Sequence, residues 1–471
     1  MTILDDLEEV ANWAAQGNQA NSSIPAEKLL TLRNEFKAEL LADTFEYCRE
    51  SVAYYNASWS RAGVSPSGPE DLSSLPILYK REVQKNPVEF VSRAVSITGY
   101  RCTSGTTARR MPIPICAEEN EALRRFGRAR SYASSPKIEA PLVLKVMPPV
   151  RRLGGNSSSS GMGPVITTYL NFDAAAHRFS FDYVDHLMQC LTEPFPLANK
   201  EALVEILWTC PSFMVRTITD SLAHRNFDFE ASSVTDIVCS GGIVTKALDK
   251  LVETAWKARL SAFYSLMEVV GSHARCSLTG DYHFDLLAYP EFLDPTTKTP
   301  VAPGEDGVLV LTSLYPFQQA QPMIRYWTGD IFTLKNSPCA CGFVGPVATF
   351  RGRESECVNL GDARLPRTSL RFLGPADVLE ALEAQPELPR FHKNPRFSIK
   401  RNHDLKRPIH LLVESYPMRS SRAKDLCSRI AEFLAERLRL TREGADDLSA
   451  ISVELVPRGE LDQAGDYYPN R

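Results

Sequence analysis

The sequence predicts an α/β protein in two parts: a large N-terminal domain of layered sheets and helices, and a small α+β C-terminal domain. Three observations predict it. The chain has 471 residues, more than one hydrophobic core usually serves, so two or more domains are expected. Strand-like and helix-like segments alternate through its middle, the pattern of α/β layers. After Phe350-Arg351-Gly352-Arg353 the chain changes to one strand, one long amphipathic helix and one more strand. That change sets a boundary near residue 353 and divides the chain into 1–353 and 354–471.

Residues 1 to about 60 read as helical, because Leu29, Leu30, Leu32, Phe36, Leu40 and Leu41 recur at helical spacing. The connector Val64-Ser65-Pro66-Ser67-Gly68-Pro69 ends that region. Next comes Thr103-Ser104-Gly105-Thr106-Thr107, between Tyr100-Arg101-Cys102 and Arg109-Arg110. Its glycine lets backbone approach closely, and its hydroxyl and amide groups can donate to phosphoryl oxygens. It lacks the G-x-x-x-x-G-K-[ST] spacing of a Walker loop, and taken alone it reads as a Ser/Thr-rich surface turn. Leu142-Val143-Leu144-Lys145-Val146 and Asp236-Ile237-Val238-Cys239 read as strands, the second running into Ser240-Gly241-Gly242. The Ser157–Ser160 run, flanked by glycines, reads as a loop. Between 245 and 258 a helix is expected, with Leu248, Leu251, Val252 and Trp256 on one side. Val308-Leu309-Val310-Leu311 reads as a buried strand, followed by Ile324-Arg325-Tyr326-Trp327-Thr328-Gly329-Asp330. In the last part, strands at 409–414 and 451–456 flank a helix at 421–437.

Apolar residues make up 44% and charged residues 23%, as in a soluble globular protein. A net charge of −4 provides no general basic field, which argues against nucleic acid as a partner. No run of about eighteen apolar residues occurs, so no membrane span is expected. The acidic start, Met1-Thr2-Ile3-Leu4-Asp5-Asp6-Leu7-Glu8-Glu9, lacks the basic and apolar regions of a signal peptide. A cytoplasmic protein is expected. Its 11 cysteines then read as thiols or metal ligands rather than disulfides.

Several segments together resemble the adenylate-forming superfamily, in its phenylacetate–CoA ligase-like branch, over nearly the whole chain. They are Arg61-Ala62-Gly63-Val64 with Leu75-Pro76-Ile77, the Thr103–Thr107 run, Cys210-Pro211-Ser212-Phe213 and Ser240-Gly241-Gly242. They continue with Tyr264-Ser265-Leu266-Met267-Glu268-Val269, Tyr289-Pro290-Glu291, the 324–330 segment and Gly352-Arg353. Any one is weak; their shared order carries the resemblance. Such enzymes activate a carboxylic acid with ATP to an acyl-adenylate and pass the acyl group to a nucleophile. The resemblance implies that Thr103, Ser104, Gly105, Thr106 and Thr107 hold phosphates, with Gly241 and Gly242 beside the nucleotide. Glu268 would hold Mg²⁺, a hard cation that takes carboxylate oxygens. Tyr264 would lie against adenine, Asp330 would accept from the ribose hydroxyls, and Arg353 would add a ribose or phosphate contact. Read blandly, Tyr264 is core, Glu268 a helix-cap carboxylate and Asp330 a turn residue.

In the same branch, Cys339-Ala340-Cys341-Gly342 together with Cys276 and His283 looks like a structural zinc site, with His273 as the rival histidine. The alternative is a set of buried free thiols and a surface histidine. The expected small molecules are ATP, Mg²⁺, a structural Zn²⁺, an aryl or hydrophobic acid, and CoA or an amine as acceptor; a homodimer is allowed. Phe213, Met214, Tyr264 and Met267 are candidates for the acid pocket or for core.

Three departures bear on function. Asp466 follows Gly465 where many relatives place a lysine that contacts the carboxylate and α-phosphate. An anion there opposes adenylation, so either another base such as Lys400, Lys406 or Arg471 supplies the charge or the first half-reaction is slow. Ala108-Arg109-Arg110 replaces the usual glycine-lysine-proline, a milder change because arginine keeps cationic donors. Leu360-Gly361-Asp362-Ala363-Arg364-Leu365-Pro366 departs from the turn that lines the CoA route, and so keeps an acid–amino acid amide ligase in play. A degenerate nucleotide-binding regulatory protein is the reading from a different class.

Overall fold

The computed structural model describes residues 25–463 apart from 104–110, 135–140, 148–163, 170–171, 174–177, 198–199, 211, 272, 285, 361–370, 389–395, 402–408, 439–440, 443–444, 447–450 and 458. Helices α1 (Ala26–Ser51) and α2 (Ala53–Ala62) fulfil the N-terminal helical expectation from residue 26 onward. Leu29, Leu40, Leu41, Phe45 and Cys48 of α1 are buried. Gly63 ends α2 in the left-handed conformation that glycine adopts without strain. The connector leads to a short helix α3 (Lys80–Lys85) and a hairpin of β1 (Ile97–Cys102) and β2 (Pro112–Cys116), followed by α4 (Ala117–Ser134).

Five parallel strands come next: β3 (Leu142–Met147), β4 (Val165–Tyr169), β5 (Val204–Thr209), β6 (Asp236–Ser240) and β7 (Arg259–Tyr264). Every residue of β3 is buried, as a strand covered on both faces requires. Its Leu142, Leu144 and Val146 share a core with Leu187 of α5 (Phe181–Thr192), Ile218 and Leu222 of α6 (Phe213–His224), and Leu248, Val252 and Trp256 of α7 (Lys246–Trp256). The expected helix at 245–258 is α7. The Thr245 hydroxyl caps it by accepting from the Leu248 N–H at 3.2 Å, an interaction worth about 1 kcal/mol. On the other face, Val143, Ile206 and Val238 form a smaller cluster with Trp208 and Phe263 beside it.

Past β7 the sheet turns antiparallel through β8 (His273–Arg275), β9 (Tyr282–His283), β10 (Ala288–Leu293), β11 (Asp306–Ser313), β12 (Tyr326–Leu334) and β13 (Val347–Arg353). All 11 strands form one sheet, in the order β10-β11-β12-β13-β9-β8-β7-β6-β5-β3-β4. Its antiparallel half packs on the helices α1 and α2, in a core that includes Phe45, Trp59, Phe284, Phe317 and Phe332.

β13 ends at Arg353, where the sequence changes character. The C-terminal part holds α8 (Pro375–Glu383), β14 (Phe397–Arg401), β15 (Ile409–Ser415), α9 (Ser420–Leu438) and β16 (Ile451–Pro457). β15 pairs antiparallel with β14 and parallel with β16, and α9 supplies the crossover that a parallel pair needs. Phe397, Leu411, Val413, Leu426, Ile430 and Leu434 form its own core, which Ile243 of the N-terminal part joins. A buried ion hub ties the parts together: Arg351 and Arg437 both donate to Asp377 Oδ1 at 2.6 Å. No helix among the described residues is long and apolar enough to cross a membrane.

Candidate active site

Polar groups gather at the carboxyl ends of β6 and β7, where open α/β sheets hold ligands. β6 runs into Gly241 (φ +68) and Gly242 (φ +109), a left-handed pair that favours glycine. Cys210 and Ser212 stand against this turn. The Ser212 N–H donates to the Gly241 carbonyl at 2.8 Å, and its hydroxyl donates to the Ile243 carbonyl at 2.7 Å. A Cβ on Gly241 would sit 3.2 Å from the Cys210 sulfur, so the close approach also keeps the position small.

Tyr264 closes β7, and its hydroxyl donates to Asp330 Oδ2 at 2.7 Å. A bulge in β12 brings Asp330 to this place. Val308 pairs with Ile331 and Val310 with Trp327, so Thr328-Gly329-Asp330 stand opposite Leu309 alone. The Thr328 hydroxyl fixes the bulge by donating to the Leu309 carbonyl at 2.7 Å and accepting from the Asp330 N–H. Arg353, in register with Asp330 on β13, places Nε 3.4 Å from Asp330 Oδ1. Burial raises the Asp330 carboxyl above its usual range against the pull of Arg353 and the Tyr264 hydroxyl, and Glu268 adds to the rise. Asp330 in turn raises the Arg353 guanidinium. The Tyr264 ring is half-buried among Phe332, Phe350 and His273, so part of it is core.

Glu268 is buried after β7 and meets a cation absent from the sequence reading. Lys80, at the start of α3, donates from Nζ to Glu268 Oε1 at 2.9 Å. The Tyr326 hydroxyl donates to the same oxygen at 3.2 Å, and burial together with this carboxylate pushes that hydroxyl well above its ordinary pKa. Lys80 is aligned by the segment before it: Leu78 makes an isolated parallel bridge to Tyr326, its N–H donating to the Arg325 carbonyl and its carbonyl accepting from the Trp327 N–H. Gln318 clamps the Glu268 segment, donating to the Glu268 carbonyl at 2.9 Å while accepting from the Val270 N–H at 2.8 Å. The adjoining Gln319 and Ala320 N–H groups both donate to Glu119, which also accepts from Arg101 of β1. The strand that leads into the Thr103–Thr107 run is thus braced to the Glu268 segment.

Of that run, Thr103 is described. It is buried at the base of the β1–β2 hairpin, its hydroxyl accepting from the Met111 N–H at 3.0 Å and its own N–H donating to the Met111 carbonyl. Ser104, Gly105, Thr106 and Thr107 lie outside the described residues, as do Asp466, Lys406, Arg471 and the 361–366 segment. Lys400 stands on β14 opposite His410. Met214 belongs to the helix-covered core, which removes it from the pocket candidates; Met267 is half-buried.

A second cluster lies along the same sheet. Cys276, His283, Cys339 and Cys341 bring their ligand atoms within 4.8 Å of one another. Cys276 Sγ lies 3.9 Å from Cys339 Sγ, and Cys341 Sγ lies 3.7 Å from His283 Nε2. Thiolates of a tetrahedral zinc stand about 3.8 Å apart, so the donor set fits that ion. Two turns shape it: the Cys276 N–H donates to the Asp281 carbonyl, and the Cys339 N–H to the Phe343 carbonyl. Phe343 stacks on the His283 ring at 4.2 Å and fixes its plane. Burial works to raise the Cys276 thiol, but the Thr279 N–H and hydroxyl, the Leu278 N–H and the Cys341 thiol hold it below its ordinary value. Burial pushes Cys341 up to about 12. His273, the rival, is buried on β8 between Tyr264 and Phe284 and takes no part.

No family model matches the chain. It is 26% identical over 337 residues to a phenylacetate–coenzyme A ligase of Thermus thermophilus, covering 68% of this chain and 69% of that protein. It is 24% identical over 306 residues to the phenylacetate–coenzyme A ligase of Escherichia coli, covering 62% and 64%. In fold it is similar to an open conformation of 2-hydroxyisobutyryl-CoA ligase in complex with 2-HIB-AMP and CoA. That match has a TM-score of 0.62 at 16% identity, over 95% of this chain and 92% of the other. An anthranilate CoA ligase in complex with anthranoyl-AMP aligns with a TM-score of 0.51 at 14% identity, over 78% and 64%. The chain is thus similar in sequence to phenylacetate–coenzyme A ligases, the branch its motifs resemble, and shares the fold of adenylate-forming CoA ligases.

Proposed function

We propose that this chain is an AMP-forming carboxylate ligase that activates a carboxylic acid with ATP and transfers the acyl group to CoA. The observation that carries the reading is the meeting of Tyr264, Asp330 and Arg353 with Glu268, Lys80 and Tyr326 beside the Gly241-Gly242 turn. Its curated relatives are phenylacetate–coenzyme A ligases, and the 2-hydroxyisobutyryl-CoA ligase and anthranilate CoA ligase it resembles in fold hold acyl-adenylates, the former together with CoA.

In this reading the acid's carboxylate oxygen attacks the α-phosphorus, and the bond to pyrophosphate breaks. A thiolate sulfur then attacks the acyl carbon and AMP leaves. The Thr103–Thr107 run and the Gly241-Gly242 turn offer hydroxyl and N–H donors to the nucleotide, as oriented donors do where charge develops. Tyr264 stands beside adenine, and Asp330 exchanges its Tyr264 bond for ribose hydroxyls. Glu268 would hold Mg²⁺, which would supply neutralisation of phosphate charge. Lys80, released from Glu268, turns to the reacting anions and supplies the cation that Asp466 does not. Cys276, His283, Cys339 and Cys341 hold one structural Zn²⁺, which leaves no open position for catalysis.

The test is to incubate the protein with ATP, Mg²⁺ and a panel of aryl and alkyl acids, adding CoA or amino acids and reading products by mass. An acyl-CoA and AMP are expected. An amide would move the acceptor to an amine, as the 360–366 sequence allows. Neither product and no AMP would leave a nucleotide-binding regulator and refute the ligase reading.

A further inference from the structure

The turn that follows β11 stands between the β1–β2 hairpin and the Glu268 segment, and its successive residues face opposite ways. Gln318 turns toward Glu268: its amide donates to the Glu268 carbonyl at 2.9 Å and accepts from the Val270 N–H at 2.8 Å. The next two residues turn their backbone to α4. The Gln319 and Ala320 N–H groups each donate to Glu119 Oε2 at 3.0 Å. The other oxygen, Oε1, accepts from Arg101 Nη2 at 3.2 Å, and Arg101 lies on β1 just before Thr103. Phe317 of the same turn meets Phe126 of α4 edge-on, with ring centroids 5.2 Å apart.

Glu119 is 1% exposed, and both of its oxygens are bonded. Burying a carboxylate costs free energy that its bonds largely offset, so stability alone is a weak reason to keep one. What this carboxylate contributes is geometry. It fastens the hairpin that opens the Thr103–Thr107 run to a turn distant in sequence, and the Gln318 clamp fastens that turn to Glu268. The turn is also held from behind. The Tyr47 hydroxyl donates to the Gln319 carbonyl at 3.1 Å, and the Ser92 N–H donates to the Ala320 carbonyl at 3.0 Å. It is a fixed spacer between two groups of ligand-holding residues.

We propose, on the basis of the ligase reading, that Glu119 and Gln318 are positioning residues that act in series. They hold the phosphate-binding hairpin at the spacing that lets it engage ATP while Glu268 engages the accompanying Mg²⁺. Both work through other residues rather than by touching the nucleotide. The two ends must serve one polyphosphate at once, and a misplacement of about 1 Å between such groups costs about a hundredfold in rate.

The experiment measures ATP binding to the full chain by calorimetry, with and without Mg²⁺, beside ATP–pyrophosphate exchange with phenylacetate and a panel of aryl and alkyl acids. In the parent, Mg²⁺ should tighten ATP binding about tenfold, which measures the coupling between the two ends. In Glu119→Ala and in Gln318→Ala that factor should fall to about twofold. Glu119→Gln keeps an oxygen for the two N–H groups and should lie between. The double variant Glu119→Ala/Gln318→Ala should lose no more than the worse single one, since one break already opens a link in series. A factor unchanged in both Glu119→Ala and Glu119→Gln, even where affinity and melting temperature fall, marks a structural carboxylate and overturns the proposal. Additive losses in the double variant overturn it as well. Exchange that persists with an unchanged factor spares the ligase reading and sinks the positioning role. A Glu119-dependent factor without exchange for any acid does the reverse, and the absence of ATP binding overturns both.

Discussion

Two clusters on the same sheet handle charge in opposite ways. Around Glu268 and Asp330, buried carboxylates meet cations that reach toward solvent: the side chain of Lys80 is 29% exposed and that of Arg353 42%. Around Cys276 and Cys339, which are 5% and 7% exposed, thiols and an imidazole converge on a common centre, held by backbone turns and the Phe343 ring. The first arrangement suits exchange in the proposed reading, because Lys80 and Arg353 reach toward solvent and can turn from their buried carboxylates to an incoming ligand. The second suits permanence, because soft donors fixed at tetrahedral spacing favour an ion that stays.

The largest effect should come from Glu268→Gln. An amide is a poorer ligand for Mg²⁺ than a carboxylate, so exchange kcat should drop by about a hundredfold or more while the melting temperature stays close to that of the parent. Near-parental turnover at limiting Mg²⁺ would break the comparison at its first term. Asp330→Asn comes next: with a weaker acceptor for ribose, ATP KM should rise about tenfold, more than kcat falls, as steady-state kinetics would reveal.

Lys80→Met sharpens the contrast. If the lysine is exchanged between Glu268 and the reacting anions, exchange should slow about tenfold. A loss confined to thermal stability would return Lys80 to a structural ion pair. On the other cluster, Cys339→Ser and Cys341→Ser should lose or weaken one zinc per chain by elemental analysis and lower the melting temperature, with smaller changes in ATP kinetics. Protein prepared without metal yet fully stable and zinc-free would remove the supporting cluster from the account. The smallest change is expected from Asp466→Lys, which should speed exchange by a few-fold where the tail reaches the site, and otherwise leave it unchanged.

Much of this was legible from residue pattern. The apolar run at 142–146 is a strand buried on both faces, and the amphipathic stretch at 245–258 is a capped helix. The 409–456 region forms the expected strand, helix and strand, joined by β14. The C-x-C-G turn and an upstream cysteine pointed to a cluster of side chains able to hold a metal, but local pattern left two histidines open. Strand pairing decides between them: His273 sits opposite Tyr264 on β7, whereas His283 sits opposite Val347 on β13, beside the Cys339–Cys341 turn. Lys80 was not legible at all, because its partner Glu268 lies 188 residues away and no local spacing relates them. Nor did the alternating pattern reveal that the parallel and antiparallel strands share one sheet, since both read as apolar runs bounded by turns.

The central claim is that an acyl-adenylate forms in this site, and oxygen transfer tests it most directly. An acid labelled with oxygen-18 in its carboxylate, incubated with ATP, Mg²⁺ and acceptor, should leave one labelled oxygen in the AMP recovered, because the carboxylate oxygen that attacks phosphorus remains on phosphate when the acyl group departs. AMP without label, or ADP as the nucleotide product, would contradict the account.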